Sequence, residues 1–98
     1  MKYRFSSKAE REIASIWHYT FENWSLEQAD RYFSQIMAEV EHLAKFPESG
    51  REFSHRGKKY RFSQVKSHLI FYREMSASKI EIIRILHKSM DIGNRVSE

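Results

Sequence analysis

Apolar residues first alternate, then recur at helical spacing, then alternate again. In Lys2-Tyr3-Arg4-Phe5, Tyr3 and Phe5 fall on one side, which predicts a short first strand. Ser7-Lys8-Ala9-Glu10 has the form of a capping box, a serine able to accept from a helix amide with a glutamate three residues on. Ala9, Ile13, Ile16, Trp17, Thr20 and Trp24 then follow at steps of three and four, so a first helix is expected. Ser25-Leu26-Glu27-Gln28 repeats the capping pattern and opens a second helix almost without a loop. Its apolar face is Ala29, Phe33, Ile36, Val40 and Leu43, widened by Tyr32, Met37 and Ala44. Together they read as an antiparallel helical hairpin turning near Asn23-Trp24-Ser25.

Pro47 and Gly50 stop the second helix. Residues 51–58 are polar, basic and without period, and read as a loop. Beyond them the period becomes two. Lys59 to Ser63, His68 to Arg73 and Lys79 to His87 read as strands, the last two joined through Met75-Ser76-Ala77-Ser78. The last strand carries Ile80, Ile82 and Leu86 on one face and Ile83 and Ile85 on the other, the two-sided apolarity of a central strand. A plain meander would leave it at an edge, so the first strand is expected to pair beside it. The resulting class is α+β in the order β-α-α-β-β-β, a mostly antiparallel sheet with a helical hairpin packed on one face. Residues 1–98 read as one domain, and 92–98 as a polar tail that frays or folds into a short appendage.

Charge sharpens this picture. Residues 1–48 hold six Lys/Arg and eight Asp/Glu, and residues 49–98 hold eleven and five, so nets of −2 and +6 face each other along the chain. The basic half suits an acidic partner. There is no cysteine, which excludes a disulfide or a thiolate zinc site and is compatible with a reducing cytosol. The start lacks an apolar signal-peptide core, and no apolar run approaches the roughly 20 residues of a membrane helix. A cytoplasmic protein is expected.

Signatures for phosphate loops, serine hydrolases, zincins and EF-hands are missing, and the five histidines form no pair at metal-ligand spacing. No metal and no cofactor are expected. The one set with chemical potential is Arg61, Arg73, Arg84 and His87, with Lys58, Lys59 and Glu81 nearby. Metal-free RNA cleavage needs a base, cations for the phosphorane and an acid. The competing reading is structural: Arg61 and Arg73 alternate with apolar neighbours as outward strand residues do, and Arg84 between two isoleucines suits an ion pair over the sheet. Trp17, Tyr19, Phe21, Trp24, Tyr32 and Phe33 make the hairpin rich in aromatics, mostly core, with any exposed subset a docking groove.

Read together, several words resemble one family. They are Ile16-Trp17-His18-Tyr19, Trp24-Ser25-Leu26-Glu27-Gln28-Ala29, and Leu43-Ala44-Lys45-Phe46-Pro47-Glu48-Ser49-Gly50-Arg51. Tyr60-Arg61-Phe62, His68-Leu69-Ile70-Phe71-Tyr72-Arg73 and the ending Arg84-Ile85-Leu86-His87-Lys88-Ser89-Met90-Asp91 complete the series. In this order and at this length the chain resembles the ParE branch of the RelE/ParE toxin superfamily. The resemblance implies a toxin of a type II toxin–antitoxin system that inhibits DNA gyrase. It also implies a cognate antitoxin that wraps the toxin in a hetero-oligomer. The RelE branch instead cuts mRNA on the ribosome and typically carries an aromatic after the last strand, a position unfilled after His87 here. Binding is therefore expected rather than catalysis, without sequence-specific nucleic-acid recognition. The ending supplies target-binding candidates His87, Lys88, Met90 and Asp91. Trp17, Phe21, Tyr32, Arg61 and Arg73 are the antitoxin-binding candidates. Arg61, Arg84 and His87 would be the catalytic set of the ribonuclease alternative, and an inactive antitoxin-binding module is a third reading.

Overall fold

A computed structural model describes residues 2–76 and 78–96. The elements are β1 (Lys2–Phe5), α1 (Ser7–Asn23), α2 (Leu26–Lys45), a 3-10 turn (Pro47–Ser49), β2 (Arg51–His55), β3 (Lys58–Val65), β4 (His68–Ser76), β5 (Lys79–His87) and α3 (Ile92–Val96). Five strands form one sheet in the order β1-β5-β4-β3-β2. The first strand does lie beside the last, in parallel, and every other pairing is antiparallel.

Four details differ from the sequence reading. The stretch taken as a loop contains β2, an edge strand paired to β3 from Arg51↔Phe62 to His55↔Lys58. Its only apolar side chain is Phe53, so no alternation announces it. The turn at Arg56-Gly57 has positive φ at both residues, the geometry of a tight hairpin. The first helix is capped by Ser6, not Ser7: its hydroxyl accepts from the Ala9 amide at 3.0 Å, and Ala9 stands where a capping box needs an acid. The second cap is as read, Ser25 accepting from Gln28. Third, the tail read as polar folds into the short appendage that reading allowed, α3, but places the apolar Ile92 and Val96 in the smaller core, with Val96 buried. Its last two residues, like Ala77 in the β4–β5 connection, lie outside the described residues.

The fourth difference is in β5. The pairing jumps from Phe71↔Arg84 to Tyr72↔Ile82, leaving Ile83 as an extra residue. Such a bulge resets the alternation. Ile80, Ile82 and Ile85 therefore face the hairpin, and Leu86 faces the other way with Phe71. The main core joins Ala9, Ile13, Ile36, Val40, Leu43 and Ala44 to Ile70, Tyr72 and these isoleucines. The smaller one sets Phe71, Leu86 and Val96 among Phe53, Tyr60, Phe62, Leu69 and Ile92. Tyr72 is fully buried, and its hydroxyl donates to the Pro47 carbonyl at 2.7 Å and accepts from the Gly50 amide at 3.0 Å. Any side chain at Gly50 would meet that hydroxyl.

The buried residues of α1 are at its start, and those of α2 cluster towards its end. In an antiparallel pair this packs one end on the sheet and lets the turn end overhang it. Trp24 and Phe33, which helical spacing placed on apolar faces, are 63% and 41% exposed for that reason.

Candidate functional site

Under the overhang lies a groove of about 770 Å³. One wall is the hairpin, with Ile16, Tyr19, Trp24 and Tyr32, and the other is the β3–β4 turn with the end of β5, His68, His87 and Met90. The rim is open and carries exposed apolar side chains, Tyr19 60% and Met90 42% exposed, beside the exposed cations Arg31 and Lys66, and the Tyr19 and Trp24 rings lie 6.0 Å apart.

The floor is polar. The Tyr32 hydroxyl donates to the Val65 carbonyl at 2.9 Å and stands 2.7 Å from His68 Nδ1. Because the hydroxyl proton is already directed at Val65, His68 fits best with Nδ1 protonated. Burial, reinforced by the nearby charge of His87, pushes the His68 imidazole down to about 4, so it is neutral at physiological pH. Burial likewise raises the Tyr32 phenol. The rings of His68 and His87 meet edge to face at 5.3 Å. His87 Nδ1 accepts from the Ser89 amide at 3.1 Å and lies 2.7 Å from its hydroxyl, which leaves the other ring nitrogen to carry the proton. The Lys88 amide donates to the Ser67 carbonyl and the Met90 amide to that of His87, so the segment after β5 is a fixed turn that carries Met90 to the groove.

The candidates of the ending therefore divide. His87 and Met90 line the groove, and Lys88 is exposed beside it. Asp91 is engaged at the start of α3, its carbonyl accepting from Arg95 and its carboxylate from the Asn94 amide. Among the aromatic candidates only Tyr32 is in the groove. Trp17 stacks on Phe21 at 5.3 Å and donates to Asp30 at 3.0 Å, on a different flank of the hairpin. Arg61 reaches the Gly50 carbonyl at 2.9 Å and Glu52 at 3.5 Å, and so braces the 3-10 turn. Arg73 lies on the sheet face away from the hairpin, paired to Glu81 at 2.9 Å.

Arg84 is structural as well. Its side chain is 8% exposed, Nε and Nη2 stand 2.8 and 2.6 Å from Glu12, and Nη1 donates to the Arg95 carbonyl. Glu12 also accepts from the Ile85 amide at 2.8 Å. The register of β1 ends at Phe5↔Ile82, and beyond it Ser6 takes the Ile83 carbonyl and Glu12 the Ile85 amide. Side chains of α1 thus satisfy the strand edge that β1 leaves open. Arg61, Arg84 and His87 thus make their contacts in three different parts of the fold.

Sequence reading missed Glu12 and His68. Nothing local distinguishes Glu12 from the other acids of α1, because its partner is 72 residues away. His68 stood in a family word but carried no sign of its groove position. Among the described residues no group of three or more His, Asp or Glu is placed to hold a metal ion, and no helix is long and apolar enough to cross a membrane.

A helical hairpin packed on a mostly antiparallel sheet is the architecture that the resemblance implied, and the structure adds the edge strand β2 to it. The family model described as the ParE toxin of type II toxin–antitoxin system, parDE, matches residues 3–92. The chain belongs to the ParE toxin family. Toxin ParE1 of Caulobacter vibrioides is 36% identical over 89 residues, 91% of each chain. Toxin ParE1 of Mycobacterium tuberculosis is 30% identical over 95 residues, 97% of each chain. In shape, the ParE-family chain matches one from the chromosomal ParDE TA system from P. aeruginosa with a TM-score of 0.74. That match covers 89% of this chain and 95% of the other at 18% identity, so it speaks for the fold alone. The protein is the toxin of a type II toxin–antitoxin system.

Proposed function

We propose that this toxin acts in the cytoplasm by binding DNA gyrase, without catalysis of its own, and that a cognate antitoxin silences it by filling the groove under the hairpin. The observation that carries this reading is the character of the site. It is a groove with an exposed aromatic rim and a neutral, hydrogen-bonded floor, which suits protein recognition. His87, Met90 and the adjacent Lys88 form the target-facing end. Tyr19, Trp24 and Tyr32 face an antitoxin segment, with Trp17 and Phe21 extending the apolar surface along the hairpin. An antitoxin helix lying there covers Met90 and His87, so neutralisation is occlusion of the target surface in a hetero-oligomer. Such a segment folds on contact, and its aromatic anchors supply the binding energy.

The ribonuclease alternative has less support, because the guanidinium groups of Arg61 and Arg84 are engaged within the fold. The reading is tested by adding purified toxin to gyrase in a supercoiling assay, with and without antitoxin. Inhibition that the antitoxin reverses supports it. Full supercoiling at micromolar folded toxin, with codon-positioned cuts in cellular mRNA on induction, would replace it by the ribonuclease.

A further inference from the structure

Five basic side chains, two from the first strand and three from the second half of the chain, gather on the sheet face away from the hairpin. Tyr3, Phe5, Ile80 and Ile82 face the hairpin, so their neighbours in the parallel register, Lys2↔Lys79 and Arg4↔Glu81, point the other way. Arg73 pairs with Glu81 and shares that side, and Lys58 follows Tyr60 and Phe62 on it. Lys2, Arg4, Lys58 and Arg73 are exposed and Lys79 is half-buried.

Among the described residues, the only acid that the strand registers place among these five cations is Glu81. It is buried and bracketed by Arg4 at 3.0 Å and Arg73 at 2.9 Å. Burial alone would raise its carboxyl, but the hydrogen bonds and charges of Arg73 and Arg4 hold it below the usual range. It holds both guanidinium groups in place, yet their side chains stay 55% and 53% exposed.

We propose that this end of the open sheet face binds the phosphate backbone of duplex DNA without reading its sequence. The cations stand on four adjacent strands, β3, β4, β5 and β1, and so span about 14 Å across the sheet at ~4.8 Å per strand. That width is close to the ~12 Å of a DNA major groove, so cations at the two ends reach the two backbones that border it. A single strand is held differently, by bases stacked on open aromatic faces. The rings of this face are turned on one another instead, Phe53 against Phe62 and Phe71 edge to face at 6.3 and 5.4 Å. An acidic protein segment would need an apolar anchor among the charges, and the apolar part of the face is packed against Ile92 and Val96 of α3. The hairpin exposes five acids, Glu10, Glu22, Glu27, Asp30 and Glu41, against three cations, Arg11, Arg31 and Lys45, a net negative balance that leaves the sheet face as the side facing a polyanion.

The test is anisotropy of a labelled duplex titrated with the full-length toxin alone, between about 0.05 and 0.2 M salt. With up to five phosphate contacts, log affinity is expected to fall against log salt with a slope approaching about −4.5. Lys2→Gln/Lys58→Gln/Lys79→Gln, which leaves the Arg4–Glu81–Arg73 cluster intact, is expected to bring the slope to about −1.8. Lys58→Gln alone should remove about 0.9, and serves if the triple variant does not fold by circular dichroism. Absence of duplex binding at the lowest salt overturns the proposal, as does a slope unchanged in either variant. Equal or tighter binding of the matching single strand overturns it in favour of a single-strand surface. Displacement by poly-glutamate more effective than by unlabelled duplex overturns it in favour of an acidic protein.

Discussion

Glu12→Ala removes two contacts with one substitution. The Ile85 amide loses its acceptor, which costs about 1 kcal/mol. The Arg84 guanidinium, with 8% of its side chain exposed, loses its charge partner. Breaking such a buried pair costs about 3–5 kcal/mol, and the lower end applies because the Arg95 carbonyl still accepts from Arg84. The expected loss is about 4 kcal/mol, read in urea unfolding, or a fall of about 16–32 °C in Tm for a domain of this size. Glu12→Gln keeps an oxygen for the Ile85 amide and loses the charge, so about 3 kcal/mol is expected. Glu12→Met/Arg84→Met, which removes both charges, should recover most of the loss. A cost below about 1 kcal/mol for Glu12→Ala, or a double variant no better than the single, would refute the reasoning. The result also governs how activity data are read. If Arg84 holds the fold, loss of toxicity in Arg84→Ala says nothing about catalysis.

Trp24→Ala and Tyr19→Ala are expected to leave stability within about 0.5 kcal/mol, since both rings are exposed, while weakening antitoxin binding by about 2 kcal/mol each, roughly 30-fold. Calorimetry of the purified pair measures both effects, and unchanged affinity would move the antitoxin off the groove. The pH profile is set in part by His68, whose folded value near 4 lies below the ordinary 6.5. Between these values the unfolded chain binds the extra proton, so stability falls as pH drops from 6.5 through 4. The full shift corresponds to about 3 kcal/mol, and screening at the groove mouth reduces it to about 1–2 kcal/mol. His68→Gln should flatten this window in pH-dependent unfolding. Loss of the Glu81 contribution belongs to a lower window, as pH falls through its depressed value, so an unchanged slope between pH 6.5 and 4 in His68→Gln would contradict the assignment.

The hairpin and the three long strands were legible in the sequence from local periodicity, both helix starts to within a residue from their capping serines, and the placement of β1 beside β5 from the apolarity of the last strand on both faces. β2 was not, because an edge strand with a single apolar side chain carries no alternation. The bulge at Ile83 was not, because an inserted residue is visible only against its partner strand. The ending was read as the target-binding segment, and the structure places part of it at the groove. His87 and Met90 line a groove, whereas Asp91 precedes α3 and holds its first turn. Arg61, Arg73 and Arg84 looked alike in sequence as strand arginines. They differ in what they touch, a carbonyl of the 3-10 turn, a carboxylate on the open face and a carboxylate of α1, and those partners lie 8 to 72 residues away.

The most direct measurement of the central claim is the amount of DNA that gyrase leaves cleaved as folded toxin is added to supercoiled plasmid. Linear DNA is expected to accumulate with toxin to a plateau, to disappear when antitoxin is added first, and to fall at least several-fold with Met90→Ala, whose side chain is exposed at the groove rim. Plasmid that stays uncleaved and fully supercoiled at every toxin concentration, with the protein shown to be folded, would contradict it.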